Sequence, residues 1–308
     1  VATEILAQAP LEHGLVECLL PAATERAPAL ALLPTVTEFS RASLLSGRLA
    51  SGQQEYERKA FTQFAQSHSL GEVALFHKKG LDTSRQGFEL ADDVRLAIAD
   101  TERFRLIGCV LNTIDDALDR TDPGGTDWTA DTVKHLAPLL RAAEAAGRLI
   151  VLTSDHGHVV ERRRGTQRGT GLGGRYRGAT SPAEPDEVLV SGPRVVTGDH
   201  RAILAVNERL RYGPLKAGYH GGAAPAEAVV PLAVLAPADL EHKLVVAPIA
   251  EPSWWESTTA TPDFASVVVL KPEPKVVPDT PQPDLFTELE PAIVVAATIS
   301  AALLGSAT

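Results

Sequence analysis

Methionine is absent from this 308-residue sequence, and cysteine occurs only at Cys18 and Cys109. The missing methionine, and a start at Val1 inside helical apolar spacing, give the expectation of a fragment of a longer protein. Two cysteines far apart, each in an apolar setting, exclude a disulfide framework and point to core packing. Positive charge is in deficit: 29 lysines and arginines against 39 acids leave a net charge of −10. That balance argues against a generally basic nucleic-acid binder, although local patches can still bind polyanions. Long hydrophobic runs are also missing. The best candidate, Ala292–Leu304, is interrupted by Thr298 and Ser300 and falls short of the ~20 residues a membrane-spanning helix needs. No secretory signal is read at the start, so a soluble, cytoplasmic protein without a membrane partner is expected.

Against these absences stands a hydrophobic content of 44%, enough for one large α/β domain with an appendage. The apolar spacing predicts helix over residues 1–20 with a break around Pro10, a short strand at Leu30–Leu33 and a helix from Thr35 or Thr37 to Gly47. A charged helix over Gln53–Ser67, a strand at Val73–His77, a helix at Leu90–Ala99 and a strand at Arg105–Leu111 follow. An amphipathic helix, Thr129–Ala146, then leads into the strand Leu149–Thr153. Alternating strands and helices predict a mostly parallel sheet with helices on both faces. Residues 161–186 read as a long loop, with strands resuming at Glu187–Val190, Ala202–Val206 and Val229–Leu235. The domain expectation is a core over 1–236, a proline-rich linker and packing arm over 237–291, and the start of a further module over 292–308.

Four segments carry chemistry. The apolar run Leu149–Leu152 leads into Thr153-Ser154-Asp155-His156-Gly157-His158, placing a carboxylate and an imidazole at a strand's carboxyl end, where open α/β sheets bind ligands. His158 reads as supporting or surface. Asp115 and Asp119, four apart beyond the strand Arg105–Leu111, share one helical face and suit a divalent cation; a solvated acidic helix start explains them equally well. Thr37 sits at a helix N-terminus, where a hydroxyl can be ionised by a metal and receive a phosphoryl group, with Arg41 one turn on to hold phosphate oxygens. Thr35-x-x-Glu38 also fits an ordinary capping box. Finally, Gly218-Tyr219-His220-Gly221-Gly222 frees His220 to point inward. Together they suggest two metal positions roughly 4 Å apart, able to clamp the attacking and leaving oxygens of an in-line displacement.

The set resembles the alkaline phosphatase superfamily, and within it the PglZ family. The resemblance lies in Pro-Thr-Val-Thr-Glu-Phe-Ser-Arg-Ala-Ser-Leu-Leu-Ser-Gly, Asn-Thr-Ile-Asp-Asp-Ala-Leu-Asp and Tyr-His-Gly-Gly-Ala-Ala-Pro-Ala-Glu, over about residues 1–260. The later Pro-Ser-Trp-Trp is similar to BREX type 2 members, phosphatase-like components of bacterial phage defence that work beside a DNA methyltransferase and other defence proteins. The resemblance implies an alkaline-phosphatase-like three-layer αβα sandwich with a mostly parallel sheet. It implies a two-metal phosphoester hydrolase acting through a phospho-Thr37 intermediate, with Arg41 steadying the phosphoryl group. Asp115, Asp119 and His220 would hold the first ion, and Asp155 and His156 the second, with Thr37 beside it. The cofactors are two divalent ions, Zn²⁺ or Mn²⁺, with Mg²⁺ possible. Asp119 stands where the superfamily has histidine, which makes that site more oxygen-rich. A further metal-binding Asp, at the end of the superfamily's first strand, has no counterpart upstream of Thr37; the expectation is that this strand is missing and the fragment inactive.

The loop 162–177 carries Arg162, Arg163, Arg164, Arg168, Arg175 and Arg177 among glycines, a local patch for nucleic-acid phosphates or simply a solvated loop. A scaffold that kept the fold without catalysis and a metal-dependent nuclease are the alternative functions. A sulfatase is disfavoured, because Ser40-Arg41 does not supply the Cys/Ser-x-Pro-x-Arg context.

Overall fold

The computed structural model describes residues 12–26, 28–82, 88–119, 128–161, 165–169 and 174–247. Helix Thr37–Ser46 stops at Gly47, whose φ of 65° takes the left-handed conformation that ends many helices. Helix Gln54–Ser67 packs against it and against the strand Glu72–Phe76. That strand runs parallel to Phe104–Cys109. Val94 and Ile98 of helix Asp92–Ala99 join Leu81 and Leu90 in a core that packs on Phe76, Ile107 and Cys109 of the two strands. A second core sets Leu136, Ala137 and Leu140 of helix Leu136–Ala145 against Leu15, Ala233 and Leu235 of a three-stranded sheet. The sheet order is Leu15–Cys18, Leu232–Pro237, Ile150–Thr153. Leu111 packs on both cores and joins them into one interior.

The cysteines take the packing role their settings suggest. Both are free; Cys18 is buried, and burial pushes the Cys109 thiol up to about 12. No helix among the described residues is long and apolar enough to cross a membrane.

Three expectations change. Leu15–Cys18 is a strand and not part of a helix: Gly14, at φ 61°, breaks the chain before it, and a ladder to Leu232–Pro237 satisfies its backbone. The sheets are not mostly parallel. Six of the eight described pairings are antiparallel, including Leu232–Pro237 with both its neighbours. Apolar content marks a strand as buried but does not encode its direction. Finally, the helix expected from Thr129 begins at Leu136. The hydroxyls of Thr129 and Thr132 cap each other's backbone N–H groups, and His135 sits at φ 69°.

The segment 161–186 includes two short pairings, Thr166–Gln167 with Leu210–Arg211 and Tyr176–Arg177 with Arg201–Ala205. From residue 248 on, the expected arm, the Trp254–Trp255 pair and the further module lie outside the described residues.

Candidate active site and metal centre

Four segments converge. The strand Ile150–Thr153 releases Asp155, His156 and His158; Val159–Val160 then pairs antiparallel with Gly218–Tyr219, and His220 follows directly. This pairing brings three imidazoles together. The His156 and His220 rings stack with centroids 4.1 Å apart, and His158 lies edge-on at 5.1 Å from His156 and 5.3 Å from His220. Gly157 allows the tight course between them: a Cβ there would lie 2.1 Å from the Ala226 carbonyl oxygen.

Thr37, the first residue of its helix, brings Oγ1 to 3.1 Å from His156 Nε2. His156 Nδ1 faces the Gly157 carbonyl at 3.1 Å and His220 Nδ1 faces the Thr35 carbonyl at 3.0 Å. A carbonyl only accepts, so each Nδ1 carries the proton and each Nε2 keeps a lone pair for a ligand. Thr35 ties the segments together. Its buried Oγ1 donates to the Gly222 carbonyl and accepts from the Gly221 N–H, both at 2.9 Å.

Asp115, on helix Thr113–Leu118, meets His158 Nε2 at 2.8 Å. Burial pushes its carboxyl up, but the His158 contact and the charges of His158, His156 and His220 outweigh burial and hold it below the usual range. Burial raises Asp155 above that range despite the opposing pull of His156. Burial, with His156 and His158 beside it, lowers His220 to about 4. That lowering favours the unprotonated His220 ring, the form that ligates a cation.

The residues fit a divalent ion. One ligand atom each from Asp115, His156 and His158 lie within 4.8 Å of one another. Asp155 Oδ2 is buried without a hydrogen-bond partner, 3.8 Å from His156 Nε2. A mixed imidazole and carboxylate set of this kind is one that zinc and manganese accept.

Other expected residues are placed differently. Arg41 Nε is held by Glu57 at 2.9 Å, and the other Glu57 oxygen is bound by His77 Nε2 at 2.6 Å; Glu57 and His77 are both buried. Asp119 lines the same cleft as Asp115, as their spacing predicts, but it is exposed and pairs with Lys216 instead of joining the histidines. His158 takes the position beside Asp115. The signal for it was the alternation Asp155-His156-Gly157-His158. Three of the loop arginines are engaged within the fold. Buried Arg175 binds Glu227, and Arg168 and Arg177 bind Glu187, so these three do not form an outward phosphate-binding patch. Arg162, Arg163 and Arg164 lie outside the described residues. Glu227, read in sequence only as part of the His220 segment, has a structural role there. Its carboxylate accepts the Gly222 N–H at 2.9 Å, and its carbonyl accepts the Gly157 N–H at 2.8 Å. A cleft of about 630 Å³ opens over Thr37, Asp115, His158 and His220.

A helix-start hydroxyl thus faces grouped imidazoles and carboxylates within an α/β domain. Residues 16–235 match the family model of the BREX system PglZ alkaline phosphatase-like domain, and the chain belongs to that family. The fold is thus alkaline-phosphatase-like. Among solved structures, the chain is similar to phosphonoacetate hydrolase from Sinorhizobium meliloti 1021, crystallised with phosphonoacetate. That alignment has a TM-score of 0.42 and 12% identity over 75% of this chain and 86% of the other. No curated relative matches the sequence.

Proposed function

We propose that this chain is a divalent-metal-dependent phosphoester hydrolase of a BREX phage-defence system, acting with other defence proteins, in which Thr37 is the attacking group. The observation that carries the reading is the 3.1 Å approach of Thr37 Oγ1 to His156 Nε2, itself one of the grouped donors with Asp115 and His158. In a two-metal form, Asp115, His158 and His220 would hold one ion, and Asp155, His156 and Thr37 the other. Bound there, divalent cations lower the pKa of a hydroxyl and offset charge on a phosphoryl group.

The chain's own residues do the rest. Thr37 Oγ1 bonds to phosphorus as the bond to the leaving oxygen breaks, giving a phosphothreonine and the free alcohol. The N-terminal N–H groups of helix Thr37–Ser46 favour the negative oxygens gathered there. Arg41, one turn along the helix with its Nε fixed by Glu57, offers its two terminal nitrogens to phosphoryl oxygens. Water then attacks phosphorus, the threonine hydroxyl is restored and the phosphate leaves.

The test is turnover of p-nitrophenyl phosphate and bis-p-nitrophenyl phosphate with Mn²⁺ or Zn²⁺. We expect turnover to disappear with chelator and to fall roughly a thousandfold or more in Thr37→Ala. Equal turnover in Thr37→Ala would remove the assigned nucleophile.

A further inference from the structure

The cleft is larger than a phosphoryl group needs, so its walls must meet the leaving group. At about 630 Å³ it falls within the range of small-molecule sites. Its walls are polar. Asn112, Asp116, Asp119 and Lys216 line it besides Asp115 and the histidines, with Leu118, Pro214 and Tyr219 as the large apolar members. Lys216 is the single cation among the described residues that line it.

That lysine is set on a rigid support. Its backbone N–H donates to Tyr219 Oη at 2.9 Å, and the Tyr219 hydroxyl donates to Glu161 Oε2 at 3.2 Å. Tyr219 is buried and pairs with Val159, next to His158, while His220 follows it in the chain. The ammonium and the two histidines therefore share one short antiparallel unit. Asp119 Oδ1 pairs with the lysine ammonium. The side chains in that pair are 41% and 69% exposed, which makes it weak and exchangeable. An ammonium has three donors, so Lys216 can keep Asp119 and still bind another anion. The neighbouring acid, Asp116, is already matched by Lys78 at 2.6 Å.

We propose that Lys216 determines specificity, selecting phosphoesters whose leaving group carries a second anionic group such as a carboxylate. This rests on the hydrolase reading above and assigns Asp119 to orienting the lysine.

A matched pair of esters tests it: 3-phosphoglycerate, whose leaving group bears a carboxylate, and glycerol 3-phosphate, whose leaving group is neutral. The readout is the ratio of their kcat/KM values, which a general loss of structure would leave unmoved. We expect a preference of about tenfold for the carboxylate ester, the scale of one charge-assisted hydrogen bond. Lys216→Ala should bring the ratio to about one, Lys216→Arg should keep it, and Lys216→Glu should invert it. No preference in the wild type, or a preference that survives Lys216→Ala, overturns the proposal. If p-nitrophenyl phosphate is not turned over either, the hydrolase reading fails instead. The ratio of calorimetric Kd values for the same two compounds on the Mn²⁺-loaded chain then decides the role of Lys216 by itself.

Discussion

Glu57 is a carboxylate with 1% of its side chain exposed, its two oxygens divided between Arg41 and His77. A charge that deep persists only when paired, and losing one partner strands the other. Glu57→Gln keeps the shape and removes the charge, leaving the Arg41 guanidinium mostly buried without a counter-ion. We expect it to lower unfolding stability by about 3 kcal/mol, read from the urea midpoint. If Arg41 has the proposed role of binding phosphoryl oxygens, turnover should drop further than the folded fraction explains, because Glu57 no longer fixes its Nε. None of this was legible in the sequence. Glu57 lies sixteen residues from Arg41 and twenty from His77, inside a helix that the sequence marks only as charged. The adjacent pair Asp155–His156 was legible, because a strand's end fixes where its next two side chains go. Asp119 misled, because helical spacing places a residue on a face without saying which partner its carboxylate will reach.

The elements that matter most to the site are short. Gly157 lies between two histidines, its N–H bound to the Glu227 carbonyl, and a Cβ there would press on the carbonyl of Ala226. In Gly157→Ala the segment must move outward. We expect a stability loss of roughly 1–3 kcal/mol from overpacking. Calorimetric Mn²⁺ or Zn²⁺ affinity should fall at least about tenfold, because ligand orientation controls affinity. The longer elements could be read directly. Periodicity located the helices at Gln54–Ser67 and Asp92–Ala99 and the strands at Phe104–Cys109 and Ile150–Thr153 to within a few residues. The two-residue pairing of Val159–Val160 with Gly218–Tyr219 could not be read, since so short a ladder leaves no periodic trace. Yet that pairing sets His158 beside His220 and brings Lys216 to the cleft.

Across the whole domain, residues far apart in sequence are drawn to one cleft by buried polar ties. Thr35 bonds the glycines after His220. Arg175, fully buried, binds Glu227, whose backbone and carboxylate reach the segments of His156 and His220 in turn. The domain matched by its family, residues 16–235, contains every member of this network. In the proposed reaction Thr37 attacks phosphorus beside divalent ions that Asp115, Asp155, His156, His158 and His220 would hold. The most direct measurement is mass spectrometry of the chain acid-quenched during turnover of p-nitrophenyl phosphate, with and without Mn²⁺. The account predicts a phosphoryl adduct on Thr37 that forms only with the metal and is lost in His158→Ala. An adduct on another residue, or turnover at the same rate without metal, would contradict it.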